Sequence, residues 1–112
     1  MPVTIKILLD QYTEILRKIY GSHLKTVILY GSYARGDYTE SSDIDIMILV
    51  DSTEDTIKQK GRMVSDITFD FNLDHDIMIM PIVKNVNHFQ YWLPADPFYK
   101  NVKNDGVELY VA

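Results

Sequence analysis

Hydrophobic residues near the start of the chain recur at steps of three and four, which is the spacing of one face of an α-helix. Within residues 2–20 these positions are Ile5, Leu8, Leu9, Tyr12, Ile15, Leu16 and Ile19. Pro2 is tolerated at the start of a helix, and Gly21 is a typical stop. The pattern therefore predicts an amphipathic helix over residues 2–20.

Two apolar runs follow, and both predict buried β-strands. KTVILY, residues 25–30, is rich in β-branched and aromatic residues and stops at Gly31, so it predicts a strand that enters a tight corner. DIDIMILV, residues 43–50, is apolar at successive positions after its aspartates, as in a strand covered on both faces. A short helix over Ser32–Arg35 and a polar loop over residues 36–42 are predicted between them.

The second half of the chain alternates helical and strand patterns. Ser52 or Thr53 can cap a helix that ends near residue 65, and residues 67–74 are ambiguous and predicted as a helix end plus a connection. DIMIMPIV, residues 76–83, predicts a third strand with Pro81 at a sheet edge or a bulge. Short helical pieces are predicted at residues 86–92 and 97–104, with VELYV after Gly106 as an apolar tail.

The order helix, strand, corner, strand, helix, strand indicates an α/β or α+β layer fold. A chain of 112 residues with 46% apolar content is the size of one compact domain, so residues 1–112 are predicted to form a single domain.

Composition narrows the classes of partner. The net charge of −5 argues against stable binding to nucleic acid or to an anionic membrane, since both need clustered Lys and Arg. With no cysteine, disulfides and thiolate metal sites are excluded. No apolar run reaches the roughly 18–20 residues of a membrane span, and the start MPVTIKILLDQY does not resemble a signal peptide. These features predict a cytoplasmic protein.

Asp43 and Asp45 are the first candidate functional residues. Side chains two apart on a strand point to the same face, so the two carboxylates would lie together and repel unless a cation or a proton relieves the repulsion. Mg²⁺ prefers such oxygen ligands and completes its shell with water and phosphate oxygens. The alternative is a pair of solvated aspartates at the end of a sheet.

Gly31, Ser32 and Arg35 add a candidate site for phosphate. A strand that ends in Gly-Ser and then turns offers backbone N–H groups and a hydroxyl, and glycine lets a bulky anion approach the backbone. Arg35 could neutralise the outer phosphates. The alternative is an ordinary strand-to-helix turn with a solvent-exposed arginine.

Taken together, GSYARGDYTESSDIDI resembles the signature of the polymerase β-like nucleotidyltransferase superfamily, and more narrowly that of its minimal nucleotidyltransferase (MNT) group. The resemblance extends over most of the chain and includes the segment FYKNVKNDGVELY. It implies the polymerase β-like fold, a small mixed sheet flanked by helices.

The resemblance also implies a third carboxylate on a neighbouring strand, for which Asp70, Asp74 and Asp76 are the candidates. Asp76 is favoured because it precedes IMIMPIV as Asp43 precedes IDIMILV, and Asp74 is the second choice. The alternative for each is a solvated aspartate in a turn.

For function, the resemblance implies two Mg²⁺ ions held by Asp43, Asp45 and Asp76, with ATP as donor and AMP as the transferred group. MNT proteins commonly act as antitoxins of HEPN-domain ribonuclease toxins, so the implied acceptor is a hydroxyl of that partner, such as a tyrosine. Two alternatives stay open at this point: an antitoxin that neutralises by binding alone, and transfer to a small molecule.

Overall fold

The secondary structure is a four-stranded sheet with helices on both faces. A computed structural model describes all residues, 1–112. The elements are α1 (Val3–Tyr20), β1 (Leu24–Tyr30), α2 (Ser32–Arg35), β2 (Ile44–Val50), α3 (Glu54–His75), β3 (Ile79–Asn85), α4 (Val86–Trp92), α5 (Pro97–Asp105) and β4 (Val107–Val111), with a 3-10 turn (Gly21–His23) between α1 and β1.

The sheet has the strand order β3-β2-β1-β4. β1 pairs antiparallel with β2 and β4, whereas β2 and β3 are parallel and are joined through α3. Pro81 lies in β3 at the edge of the sheet, where a residue without an N–H is tolerated. The mixed sheet and the edge position of Pro81 were both predicted and are confirmed.

One face of the sheet packs against α1 and α3. Alternate residues of β2, from Ile44 to Val50, bury their side chains there against Leu9 and Phe71. The two helices also share a hydrogen bond between the buried Tyr12 hydroxyl and Thr68 Oγ1, 2.7 Å apart. This face supplies the larger of the two hydrophobic cores.

The opposite face is covered only in part. α4 and α5 contribute Phe89, Tyr99 and Val102, which pack on Met47 and Leu49 of β2. The alternation of side chains along β2 places Asp45 on this same face, where it is only partly buried. On this face Asp45 therefore stays partly accessible to solvent.

The predicted end of α3 and the predicted tail after Gly106 are both wrong. α3 continues to His75 instead of ending near residue 65, and Val64, Thr68 and Phe71 form its buried stripe. Exposed hydrophobic residues on its other side, Phe69 and Leu73, obscured that stripe in the sequence. VELYV, predicted as an apolar tail, forms β4 and pairs with β1.

Asp76 does not open a strand, which corrects the prediction made for it. It ends α3 as the C-cap in the left-handed conformation, with φ 53° and ψ 49°, and β3 begins three residues later at Ile79. None of the helices has the combination of length and apolarity needed to span a membrane.

Candidate active site

Gly31 turns the chain sharply between β1 and α2. Its φ of 75° and ψ of −154° lie in a region that essentially only glycine occupies. A Cβ at this position would overlap Oδ2 of Asp45. Glycine is therefore required both for the backbone conformation and for the space that the Asp45 carboxylate fills.

Asp45 is placed beside this corner by the antiparallel pairing of β1 and β2, in which it lies opposite Tyr30. Asp43 immediately precedes β2 on the same face and is exposed. Burial raises the pKa of Asp45, and the charge of Asp43 raises it further, while Arg35 acts in the opposite direction. A bound cation would relieve the repulsion between the two carboxylates, so the pair is suited to binding a cation.

An open cleft of about 580 Å³ contains both features. One wall is formed by Gly31, Ser32 and Arg35 at the corner, together with Ser41 and Ser42 of the following loop. Asp43 and Asp45 line the same cleft, so the structure brings together five of the six predicted site residues. The arrangement places hydroxyl, amide and guanidinium donors beside a pair of carboxylates.

Asp76, the sixth predicted residue, does not line this cleft. It borders an adjacent cavity together with Ile77 and Met78, and neither Asp43 nor Asp45 lines that cavity. Asp70 and Asp74 are exposed on α3. The role of Asp76 as a metal ligand stays a prediction.

The strand next to the carboxylate pair carries methionines where a third acidic ligand would be expected. Met80 is in parallel register with Asp45, and the N–H of Ile44 donates to the carbonyl of Met78 at 2.8 Å. Side-chain alternation puts Met78 and Met80 on the face of the carboxylates, and both are about half exposed. No group of three His, Asp or Glu residues is close enough to hold a metal ion.

The donor set therefore fits one divalent cation better than a pair. Two close carboxylates, one of them with a raised pKa, suit a Mg²⁺ ion that fills its remaining positions with water and phosphate oxygens. A third protein ligand for a second ion is not supplied by β3.

The other wall of the cleft was not predicted from the sequence. Phe98, Asn101, Val102 and Asp105 of α5 form it, together with Tyr30 of β1. Their spacing of three, four and seven residues places them on one face of a helix, so the pattern was present. Nothing in the sequence showed that this face lies opposite Asp45.

Comparison with protein families gives a match over residues 9–107 to the family described as nucleotidyltransferase domain. The chain belongs to this family. It is a nucleotidyltransferase, and the Gly31–Ser32 corner and the Asp43 and Asp45 pair lie within the matched residues.

Relatives of similar length occur in Methanocaldococcus jannaschii. MJ0141 is 36% identical over 102 residues, which covers 91% of this chain and 95% of the relative. MJ0604 is 35% identical over 102 residues, covering 91% of this chain and 94% of the relative. Both have the provisional name protein adenylyltransferase.

Solved structures share the fold. A provisionally named nucleotidyltransferase from Sulfolobus solfataricus has a TM-score of 0.65 at 24% identity, covering 97% of this chain and 82% of its own. A toxin–antitoxin structure with AMP-PNP has a TM-score of 0.59 at 20% identity, covering 92% and 73%. The MNT antitoxin in complex with a tri-AMPylated HEPN toxin of Shewanella oneidensis has a TM-score of 0.54 at 18% identity, covering 96% and 73%. These structures confirm the predicted polymerase β-like fold. The predicted resemblance to nucleotidyltransferases is confirmed by the family match and by the relatives named protein adenylyltransferase.

Proposed function

We propose that this nucleotidyltransferase transfers AMP from ATP to a hydroxyl of a partner protein in a Mg²⁺-dependent reaction. The observation that supports this most directly is the single cleft that contains both the Gly31–Ser32 corner and the Asp43 and Asp45 pair. The relatives from Methanocaldococcus jannaschii are named for adenylylation of proteins, which favours a protein acceptor over a small molecule.

The corner would bind the outer phosphates of ATP. The Ser32 hydroxyl and neighbouring backbone N–H groups donate hydrogen bonds to phosphate oxygens, and Arg35 offsets their charge. The α-phosphorus would then lie near Asp43 and Asp45, which would hold Mg²⁺. When bound, Mg²⁺ neutralises charge that develops on the phosphates.

The transfer itself is a substitution at the α-phosphorus. The acceptor oxygen forms a bond to phosphorus, the bond to the bridging oxygen of the β-phosphate breaks, and pyrophosphate leaves with that electron pair. The proton of the acceptor hydroxyl passes to water. Ser32 and Arg35 contribute by holding the leaving pyrophosphate in line with the attacking oxygen.

The proposed partner is a HEPN-type toxin, with this chain as its antitoxin and a tyrosine hydroxyl as acceptor. Support comes from the shared fold with an MNT antitoxin that was solved in complex with an AMPylated HEPN toxin. The cleft is open and Asp43 is exposed, which would give a protein side chain access to the carboxylates.

The test is incubation with ATP labelled at the α-phosphate, Mg²⁺ and a HEPN-type protein encoded beside this chain. We expect label on that partner, with AMP located on a tyrosine by mass spectrometry. Asp43→Asn should reduce labelling at least about 100-fold, since it removes half of the carboxylate pair. Asp70→Asn, which removes an exposed carboxylate of α3 outside the cleft, serves as the matched control.

Other results distinguish the alternatives. Inhibition of the toxin without any label would favour neutralisation by binding alone, and turnover of ATP with no partner present would favour a small-molecule acceptor. Asp76→Asn tests the remaining predicted ligand: labelling at the wild-type rate would exclude Asp76 from the site.

A further inference from the structure

The α5 wall of the cleft takes no part in the transfer of AMP proposed above. Asp96 caps this helix by accepting hydrogen bonds from the N–H groups of Phe98 and Tyr99, at 2.9 and 3.2 Å. Tyr99 and Val102 anchor its inner face in the hydrophobic core against β1 and β2. The helix is therefore fixed in place, with Phe98 and Asn101 presented to the cleft.

Phe98 offers an aromatic surface beside the carboxylates. Its ring meets Tyr30 edge to face, with centroids 5.6 Å apart and an interplanar angle of 79°. Tyr30 is in turn opposite Asp45 in the β1–β2 ladder. Phe98 remains 41% exposed, so Tyr30 orients the ring while a face of it stays available for stacking.

Asn101 lies one helical turn from Phe98 on the same side of α5. Its side-chain amide is exposed and makes no hydrogen bond within the protein, and Asn101 lines the cleft whereas Asn104, which is also exposed, does not. An amide carries a donor and an acceptor side by side, which matches the amino group and ring nitrogen of adenine. The pair therefore combines a stacking surface with a polar group suited to one edge of a base.

We infer that α5 forms the nucleoside end of the cleft, where the adenine ring stacks on Phe98 and hydrogen-bonds to Asn101. This inference rests on the proposed function. With the outer phosphates at Ser32 and Arg35 and the α-phosphate at Asp43 and Asp45, α5 is the remaining wall toward which the nucleoside extends.

Two probes separate this role from phosphate binding. The protein is titrated calorimetrically, in the presence of Mg²⁺, with AMP-PNP and separately with inorganic tripolyphosphate. Phe98→Ala and Asn101→Ala are compared with the wild-type chain. Phe69→Ala removes an exposed phenylalanine of α3, and Asn104→Ala an asparagine of α5, both outside the cleft, so they are matched controls.

We expect Phe98→Ala to weaken AMP-PNP binding by about 5- to 100-fold, the range for loss of one stacked base. Asn101→Ala should weaken it by about 3- to 30-fold. Tripolyphosphate should bind all variants as it binds the wild-type chain. Phe98→Leu preserves apolar packing against Tyr30 and should also lose AMP-PNP affinity, which separates stacking from a folding defect.

AMP-PNP binding at wild-type affinity by Phe98→Leu and Asn101→Ala would overturn the inference. If those variants bind AMP-PNP normally yet label the partner more slowly, α5 contacts the acceptor instead and the inference is also overturned. A wild-type chain that binds neither probe would contradict the proposed function itself, and the inference would fall with it.

Discussion

Asp45 has a negative charge that the fold by itself does not favour. Burial and the neighbouring Asp43 raise its pKa above the ordinary value. The folded chain therefore binds a proton at the Asp45 carboxyl more tightly than the unfolded chain does. The stability that this proton contributes is lost as pH rises through the folded pKa. Cation binding reverses the effect, because an adjacent positive charge favours the ionised carboxylate.

Asp45→Asn should consequently stabilise the metal-free protein at neutral pH. We expect a gain of roughly 0.2–1 kcal/mol in the free energy of unfolding at pH 7, which is the range for a partly exposed charge interaction. Near pH 3, below the usual aspartate pKa of about 3.9, the two proteins should be equally stable. Urea unfolding with a chelator present measures the difference, and a less stable variant at pH 7 would contradict the prediction.

Gly31→Ala should be more damaging than an alanine at another glycine with positive φ. The backbone conformation alone costs about 1–3 kcal/mol for a residue with a side chain, and the new Cβ also displaces the Asp45 carboxylate. We expect loss of stability together with loss of Mg²⁺-dependent nucleotide binding, followed by thermal unfolding and calorimetry.

Gly36→Ala is the matched control for that substitution. Gly36 also has a positive φ, of 89°, but no atom lies within 4 Å of the position that a Cβ would take there. Backbone strain should therefore appear in both variants and loss of nucleotide binding only in Gly31→Ala. Equal loss of binding in both would show that the Asp45 contact is unimportant.

At the scale of elements, β3 determines whether a third carboxylate lies beside Asp43 and Asp45. Its parallel register with β2 places Met80 beside Asp45. Because β3 is an edge strand and Met80 is about half exposed, a polar side chain can be accommodated in place of Met80. Met80 is therefore the place where the site can be altered without rebuilding the core.

Met80→Asp should add a third oxygen ligand on the face of Asp43 and Asp45. We expect Mg²⁺ or Mn²⁺ to bind roughly tenfold more tightly, because affinity rises with the number of charged ligands. Without metal the variant should be less stable than the wild-type chain, since a third like charge adds repulsion. Calorimetric titration with Mn²⁺ measures the first effect, and urea unfolding the second.

Met63→Asp is the matched control for the Met80 variant, as it introduces the same group at an equally exposed methionine of α3. It should leave metal affinity unchanged. A Met80→Asp protein that binds metal no better than Met63→Asp would show that β3 does not face the carboxylate pair closely enough to provide a ligand.

At the scale of the whole molecule, β4 fixes the position of one wall of the cleft. β4 pairs with β1, with Val107 opposite Leu29. Gly106 joins α5 to β4 where a Cβ would overlap the Val102 carbonyl and Ile28. The end of α5, and with it one wall of the cleft, is thus positioned by the pairing of β4 with β1.

Deletion of residues 107–112 should therefore impair both the fold and the site. It exposes the backbone edge of β1, which favours association with other chains, and it frees the end of α5. We expect lower solubility, a lower unfolding temperature and weakened AMP-PNP binding, measured by size-exclusion chromatography, circular dichroism and calorimetry.

Deletion of Ala112 alone is the control, because it removes one backbone hydrogen bond, from Ala112 N–H to the carbonyl of Lys25 at 2.9 Å. This shorter deletion should behave like the full chain. A soluble and fully active protein without residues 107–112 would show that β4 is dispensable.

The sequence by itself determined the features that depend on local structure. α1 follows from its hydrophobic spacing, and β1 and β2 follow from their apolar runs. The corner at Gly31 and the shared face of Asp43 and Asp45 need only the preferences of glycine and the alternation of a strand. These residues were sufficient to predict the fold class and a site for phosphate and metal.

The tertiary structure decided what depends on contacts between distant segments. The register of β2 with β3 puts Met80, and not Asp76, beside Asp45, and the packing of α5 on β1 brings Phe98 and Asn101 to the cleft. Neither can be derived from a local pattern, because strand register and helix placement are set by how the buried faces of separate elements fit together.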